Sequence, residues 1–368
     1  MPSSIRRVYV GLSGGVDSSV AALLLKNQGY DVRGVFMKNW SDPAWPCPWQ
    51  EDRQDALRVS IKLGIPFETW DFTQEYKAKV VDYMIREYAL GRTPNPDVMC
   101  NREIKFGLFF DKALAMGADF IATGHYVRLR RNDQIPNPKS QINLKLQTTN
   151  YKLLTARGKN KDQSYFLWTL TQKQLAKCLF PIGEIESKTE VRRLAAEHGL
   201  PVADKKDSQG VCFMGPVDVG EFIKPYVRQT VGAIVTTAGE KIGTHAGLDF
   251  YTIGQRKGIG VGGTGPYYVT RKDYKSNTLV VAPAGDQSAL ESRSLVASEV
   301  SFIGAEPADG VQVQAAIRYR QKPTPAILSR TSGGRWLVTF SHPVRATAPG
   351  QSVVFYNGDE LLGGGIIQ

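Results

Sequence analysis

Over the first 125 residues, short apolar runs alternate with stretches whose apolar positions recur every three or four residues, the signature of strands alternating with helices. Residues 8–10 predict a strand, 18–28 a helix stopped at Gly29, and 32–37 a second strand. Residues 52–63 predict a helix stopped at Gly64, 67–70 a strand, 73–89 and 104–116 two more helices, and 120–122 another strand. This β-α-β-α order predicts an α/β fold with a doubly wound parallel sheet, whose ligands sit at the carboxyl ends of the strands. Further helices are expected at 171–179 and at 188–198, the latter opened by a Ser187/Glu190 capping box. From Val231 the chain turns glycine-rich and β-branched, with a second run of short strands after Gly285. The expected division is a catalytic domain at 1–210, a small β-rich central domain at 211–285 and a C-terminal β-barrel at 286–368, with no internal repeat.

Composition narrows the class. The longest purely apolar run is six residues, 20–25, whereas a membrane span needs about 20. No leader pattern precedes the first strand, so a cytoplasmic chain without membrane partners is expected. The four cysteines, Cys47, Cys100, Cys178 and Cys212, contain no C-x-x-C pair, so no residue is assigned to a metal and a reducing compartment is expected. The formal net charge of +11 points to a polyanionic partner. Residues 286–368 hold seven basic and seven acidic side chains, so the excess lies upstream. Nine basic residues stand against Asp133 alone between Arg128 and Lys161, which predicts a basic, flexible hairpin reaching along a nucleic-acid backbone.

The chemistry is concentrated at the first crossover. A strand runs into Gly11-Leu-Ser-Gly-Gly-Val-Asp-Ser-Ser19 and then a helix. Gly14 and Gly15 allow a tight turn whose N–H groups face an anion, and the helix N-terminus adds its positive end. The loop has neither the G-K-[ST] ending of a Walker motif nor G-x-G-x-x-G. Cys100 follows the rigid Asn95-Pro96-Asp97 turn near a helix start, beside Arg102 and Lys105, a setting that favours thiolate. Cys212 lies in an electropositive loop after Lys205 and Lys206, whereas Cys178 sits among apolar helical residues and reads as core. Cys47, in an aromatic loop, suggests no role. Two thiols in basic settings beside an anion loop suggest sulfur transfer. Asp97 is open to two readings, acid–base group or helix cap. His198, His245 and His342 are isolated, whereas His125 follows a strand at the ligand-binding edge.

The S-G-G-x-D-S run resembles the PP-loop of the ATP pyrophosphatase superfamily. With G-R-T-P-N-P-D (91–97), C-N-x-E-I-K-F (100–106), A-T-G-H-Y (122–126), N-K-D-Q-S-Y-F (160–166), K-K-D-S-x-G-x-C-F (205–213) and G-Q-R-K-G (254–258), the whole chain resembles the bacterial tRNA-specific 2-thiouridylases. The resemblance implies a tRNA-uridine 2-sulfurtransferase that adenylates the C2 oxygen of the wobble uridine with ATP, and Mg2+ accompanying it. It implies ATP contacts at Gly11, Leu12, Ser13, Gly14, Gly15, Val16, Asp17, Ser18, Met37 and Gly124. Recognition of the target base would fall to Asn95, Pro96 and Asp97. Cys100 would be the nucleophile and Cys212 the persulfide carrier, a pair also able to close as a disulfide. Further contacts to the anticodon region of tRNA would come from His125, Lys161, Asp162, Gln163, Arg318, Tyr319 and Gln351. A sulfur-donor protein, either a cysteine desulfurase or a persulfide relay, is the implied second partner. Amine-using adenylating enzymes need no paired thiols, and a non-catalytic tRNA-binding protein would need neither thiol.

Overall fold

A computed structural model of the chain describes residues 5–41, 49–132, 151–207, 219–262, 265–286 and 288–368. Cys47, Cys212, Asp133, Lys139 and Lys145 lie outside the described residues.

The chain opens with β1 (Arg7–Gly11), α1 (Val16–Asn27), β2 (Asp31–Lys38), α2 (Trp49–Leu63) and β3 (Phe67–Asp71). A helical run follows as α3 (Thr73–Tyr76), a π-helical turn (Lys77–Val81) and α4 (Asp82–Ala89). A second run comprises α5 (Pro96–Met99), a π-helical stretch (Cys100–Leu108) and α6 (Phe109–Ala115), leading to β4 (Phe120–Ala122). Next come β5 (Val127–Arg131), β6 (Tyr151–Thr155), α7 (Gln172–Leu175), β7 (Cys178–Leu179) and α8 (Lys188–Glu197). Five strands form a parallel sheet in the order β3-β2-β1-β4-β7. Its inner strands are apolar on both faces because helices cover both, as in β1, where Val8, Tyr9 and Val10 are all buried. The order reverses direction between β1 and β4, and this switch point places the loops following those two strands side by side.

The central part holds α9 (Val219–Ile223), β8 (Gly232–Thr236), β9 (Lys241–His245), β10 (Tyr267–Asp273) and β11 (Thr278–Pro283), the strands ordered β10-β11-β8-β9. The last part holds β12 (Glu291–Phe302), β13 (Val311–Ala316), β14 (Thr324–Arg330), β15 (Trp336–Arg345), β16 (Ser352–Asn357) and β17 (Glu360–Ile367). β12 pairs with both β15 and β17, closing a six-stranded antiparallel barrel. Alternating inward residues, Ala326 and Leu328 on β14 and Trp336, Val338 and Phe340 on β15, fill it.

Three expectations need correction. The helix expected at 171–179 is only α7, because Cys178 and Leu179 add β7 to the edge of the parallel sheet beside Ile121 and Ala122. Cys178 is therefore a strand residue, though buried as expected. The Ser187 cap is one-sided: its hydroxyl accepts from the Glu190 N–H (3.2 Å), while the Glu190 carboxylate turns to Arg193. The strands of the basic hairpin, β5 and β6, are not a free arm, because β6 pairs with Glu360 and Leu361 of β17 and extends the barrel sheet. Basic residues of these strands and of the turn after β6 are matched from afar: Arg128 and Lys159 by Asp359, Lys152 by Glu360, Arg130 by Glu184 and Arg157 by Glu186.

Candidate active site

Gly14 has φ +76°, and a Cβ there would lie 2.2 Å from the Asp52 carbonyl oxygen, so both the turn and the backing by α2 require glycine. Ser18 stiffens the turn: its hydroxyl accepts from the Ser13 N–H (3.1 Å) and donates to the Gly15 carbonyl (3.1 Å). In the loop after the neighbouring strand β4, Gly124 packs so tightly that a Cβ would stand 2.6 Å from the Ser18 nitrogen. Met37 closes the other side, its Cε 3.0 Å from where a Gly11 Cβ would lie. The expected nucleotide residues at 11–18, 37 and 124 thus meet at the switch point.

Asp17 leaves the first turn of α1 and is held by groups from two other segments. Tyr126 donates its hydroxyl to Asp17 Oδ1 (2.6 Å), and Lys188, the first residue of α8, donates to Oδ1 (2.8 Å) and Oδ2 (2.7 Å). Lys188 also meets Asp207 (2.9 Å), which takes Lys161 (2.9 Å) and Arg192 (3.0 Å) as well. Partial burial acts upward on the Asp207 carboxyl, but the hydrogen bonds and charges of Lys188 and Lys161 outweigh it and bring its pKa down to about 2. Burial, with Asp17 adjacent, pushes the Tyr126 phenol far up, so it stays a donor. Lys205 closes the base of this cluster on Asp52 and Asp55, each at 2.7 Å.

Behind the loops stands the helix bearing Cys100. Asn95 caps it, its side-chain oxygen accepting from the Val98 N–H (3.3 Å), and Pro96 fits the first helical position. The helix therefore starts earlier than 104, and Cys100 lies one turn inside it, only 1% exposed. Arg102 spends its charge on Glu103 (2.8 Å). The buried His125 joins this helix to the switch point: its ring packs at a tilt with its centroid 5.7 Å from that of Phe106, and its Nδ1 is hydrogen-bonded to Thr123 Oγ1 (2.7 Å). Burial, reinforced by Lys105, holds the imidazole pKa well below its ordinary value, so the ring is neutral.

The remaining expected tRNA contacts have structural partners. Asp162 accepts from the Ala156 N–H (2.7 Å) and the Ser164 hydroxyl (2.6 Å), and Gln163 exchanges two hydrogen bonds with the Tyr126 backbone, both 3.0 Å. Arg318 donates to the Ala346 carbonyl (2.9 Å), and the Tyr319 ring packs at a tilt against Phe166, centroids 4.6 Å apart. Gln351 donates to the carbonyls of Thr93 and Pro94, both 2.9 Å, so the barrel grips the turn leading into Asn95. Lys188 and Tyr126 were not singled out by sequence. Tyr126 closes the A-T-G-H-Y run, but a lysine opening a capped helix reads as solvated.

Three family models match the chain in succession: a tRNA methyl transferase HUP domain at 6–216, a tRNA methyl transferase PRC-barrel domain at 220–283 and an aminomethyltransferase beta-barrel domain at 292–367. A tRNA-specific 2-thiouridylase MnmA of Staphylococcus aureus (strain bovine RF122 / ET3-1) is 48% identical over 367 residues, covering 98% of this chain and 95% of that protein. Among solved structures, a 4-thiouridine synthetase–RNA complex with bound ATP is 17% identical, covering 60% of this chain and 50% of that one at TM-score 0.37. The U34-tRNA thiolase NcsA of Methanococcus maripaludis with its 4Fe–4S cluster is 18% identical, covering 60% and 63% at TM-score 0.35. Sequence identity along nearly its full length, over a parallel-sheet domain followed by a closed barrel, shows that the chain belongs to the tRNA-specific 2-thiouridylases, enzymes that transfer sulfur to uridine in tRNA.

Proposed function

We propose that the chain adenylates the C2 oxygen of the wobble uridine with ATP and replaces that oxygen by sulfur from a persulfide on Cys212, releasing AMP and pyrophosphate. The uracil C2 carbonyl is a poor electrophile with a poor leaving group, so activation must precede substitution. Attack of the C2 oxygen on the α-phosphorus breaks the bond to the bridging oxygen, pyrophosphate departs, and the N3 proton passes to Asp97. The terminal persulfide sulfur adds at C2 and AMP leaves. The Cys100 thiolate then attacks the Cys212 sulfur and breaks the S–S bond, Asp97 returns the proton to N3, and the base keeps the thiocarbonyl while the two cysteines are left as a disulfide that a cellular thiol reopens.

The observation that carries this reading is the contact of Gly124 with the Ser18 backbone, with the Cys100 helix behind it through Phe106 and His125. It supports a single pocket for nucleotide, base and thiol. ATP would lie on residues 11–18, Met37 and Gly124, the base on Asn95, Pro96 and Asp97, and tRNA on His125, Lys161, Asp162, Gln163, Arg318, Tyr319 and Gln351. The catalytic domain would span 1–210, the central domain 211–285 and the barrel 286–368, in a cytoplasmic enzyme fed by a sulfur-donor protein. Among the described residues no cluster of three carboxylate, histidine or cysteine side chains is built for a metal. One carboxylate, Asp17, suits Mg2+, which takes few protein ligands beside substrate phosphates. Bound there, Mg2+ would neutralise phosphate charge.

Persulfide loading separates the thiols. Cys212→Ser should hold no protein persulfide, whereas Cys100→Ser should accept sulfur yet leave tRNA unthiolated. Equal persulfide loading of the two variants would contradict the assignment.

A further inference from the structure

The phosphate loop from Gly11 to Ser19 contains no lysine or arginine, although the anion it is read to hold is a triphosphate. Among the described residues, Lys188 is the cation bonded to a side chain of that loop. Its side chain is only 15% exposed, and its place is set by rigid structure. It opens α8, which is capped by Ser187 and packs through Val191 and Ala195 into the same core as Val20 and Ala21 of α1.

We infer that Lys188 supplies the cation the loop lacks: when nucleotide binds, its ammonium exchanges carboxylate oxygens for oxygens of the pyrophosphate moiety and stays with them as the α-phosphorus bond breaks. This rests on the adenylation reading given above. Two observations make the exchange feasible. Neither carboxylate is abandoned when Lys188 turns away, because Asp17 keeps the Tyr126 hydroxyl (2.6 Å) and Asp207 keeps Lys161 (2.9 Å) and Arg192 (3.0 Å). The two carboxylates that Lys188 bridges, Asp17 and Asp207, are also outnumbered by their own ion-pair partners Lys161, Lys188 and Arg192, while Lys205 at the base of the cluster is taken up by Asp52 and Asp55. An ammonium with three donors gains charge-assisted bonds to phosphate oxygens that carry more charge than the carboxylates they replace.

The test uses inorganic pyrophosphate and AMP as separate calorimetric probes of the full-length protein in magnesium buffer. Lys188→Met keeps the stem and removes the charge. It should weaken pyrophosphate at least about tenfold while AMP binding stays within twofold, and should slow AMP formation by about 100-fold, as for loss of one preorganised donor. Lys188→Arg should recover most pyrophosphate affinity. The double variant Lys188→Met/Asp207→Asn removes the ammonium together with one of its carboxylate partners, which separates loss of the Asp207 ion pair from loss of a phosphate cation. If Lys188 merely neutralises Asp207, the double variant regains wild-type pyrophosphate affinity and the inference is overturned; continued weakness supports it. Wild-type pyrophosphate affinity in Lys188→Met overturns the inference alone, whereas ADP and orthophosphate as wild-type products would overturn the adenylation reading itself.

Discussion

Gly124→Ala is the smallest change that should part the two loops of the switch point. The new methyl carbon would stand 2.6 Å from the Ser18 nitrogen, 2.8 Å from the Asp17 carbonyl carbon and 3.0 Å from the Ser18 Cα. All three are backbone atoms, so no side chain can swing aside. Ordinary van der Waals contact begins at 3.4 Å, so the loop after β4 must retreat from α1 by about 0.8 Å. Overpacking of this kind costs about 1–3 kcal/mol of stability. A displacement near 1 Å between reacting groups lowers turnover by about 100-fold. Urea unfolding and steady-state AMP release measure the two effects. Gly262→Ala, where an added Cβ meets nothing within 4 Å, is the control and should match wild type in both. Unchanged AMP release by Gly124→Ala would refute the argument that the nucleotide lies across this contact.

Tyr126→Phe removes the hydroxyl that holds Asp17 and should cost about 1 kcal/mol of stability. Its AMP release should also fall, and retention of both properties would show the bond to be idle. Burial pushes the Cys178 thiol pKa far up, so alkylation at pH 8 should spare Cys178 until denaturant is added, and Cys178→Ala should still thiolate tRNA. For His125 the folded pKa lies below the unfolded value near 6.5, so its contribution is present above that pH and lost as pH falls through it. Denaturant titrations from pH 7.5 to 5 should show stability declining, and His125→Asn should flatten that decline.

What the sequence made legible was local. The β1–loop–α1 unit announces itself because Gly14, Gly15 and the apolar spacing of α1 lie within a few residues of one another. The pairing of β6 with β17 could not be read, since Leu154 and Glu360 are joined only by the fold. For the same reason the segment from Arg128 to Lys161 looked like an unmatched basic run. The carboxylates of Glu184, Glu186, Asp359 and Glu360 that answer its described residues Arg128, Arg130, Lys152, Arg157 and Lys159 come from other parts of the chain. β7 was hidden because two residues are too short to show a strand period, and Lys188 because its target, Asp17, lies on another helix.

The most direct test of the account is a single reconstituted reaction containing the protein, ATP, magnesium, a cysteine-derived persulfide source and unmodified tRNA. Nucleoside mass spectrometry and phosphate products are read together. 2-Thiouridine is expected at the wobble position, with AMP and pyrophosphate formed in step with each sulfur incorporated. Thiolation at the 4-position, or 2-thiouridine accompanied by ADP and orthophosphate, would contradict it.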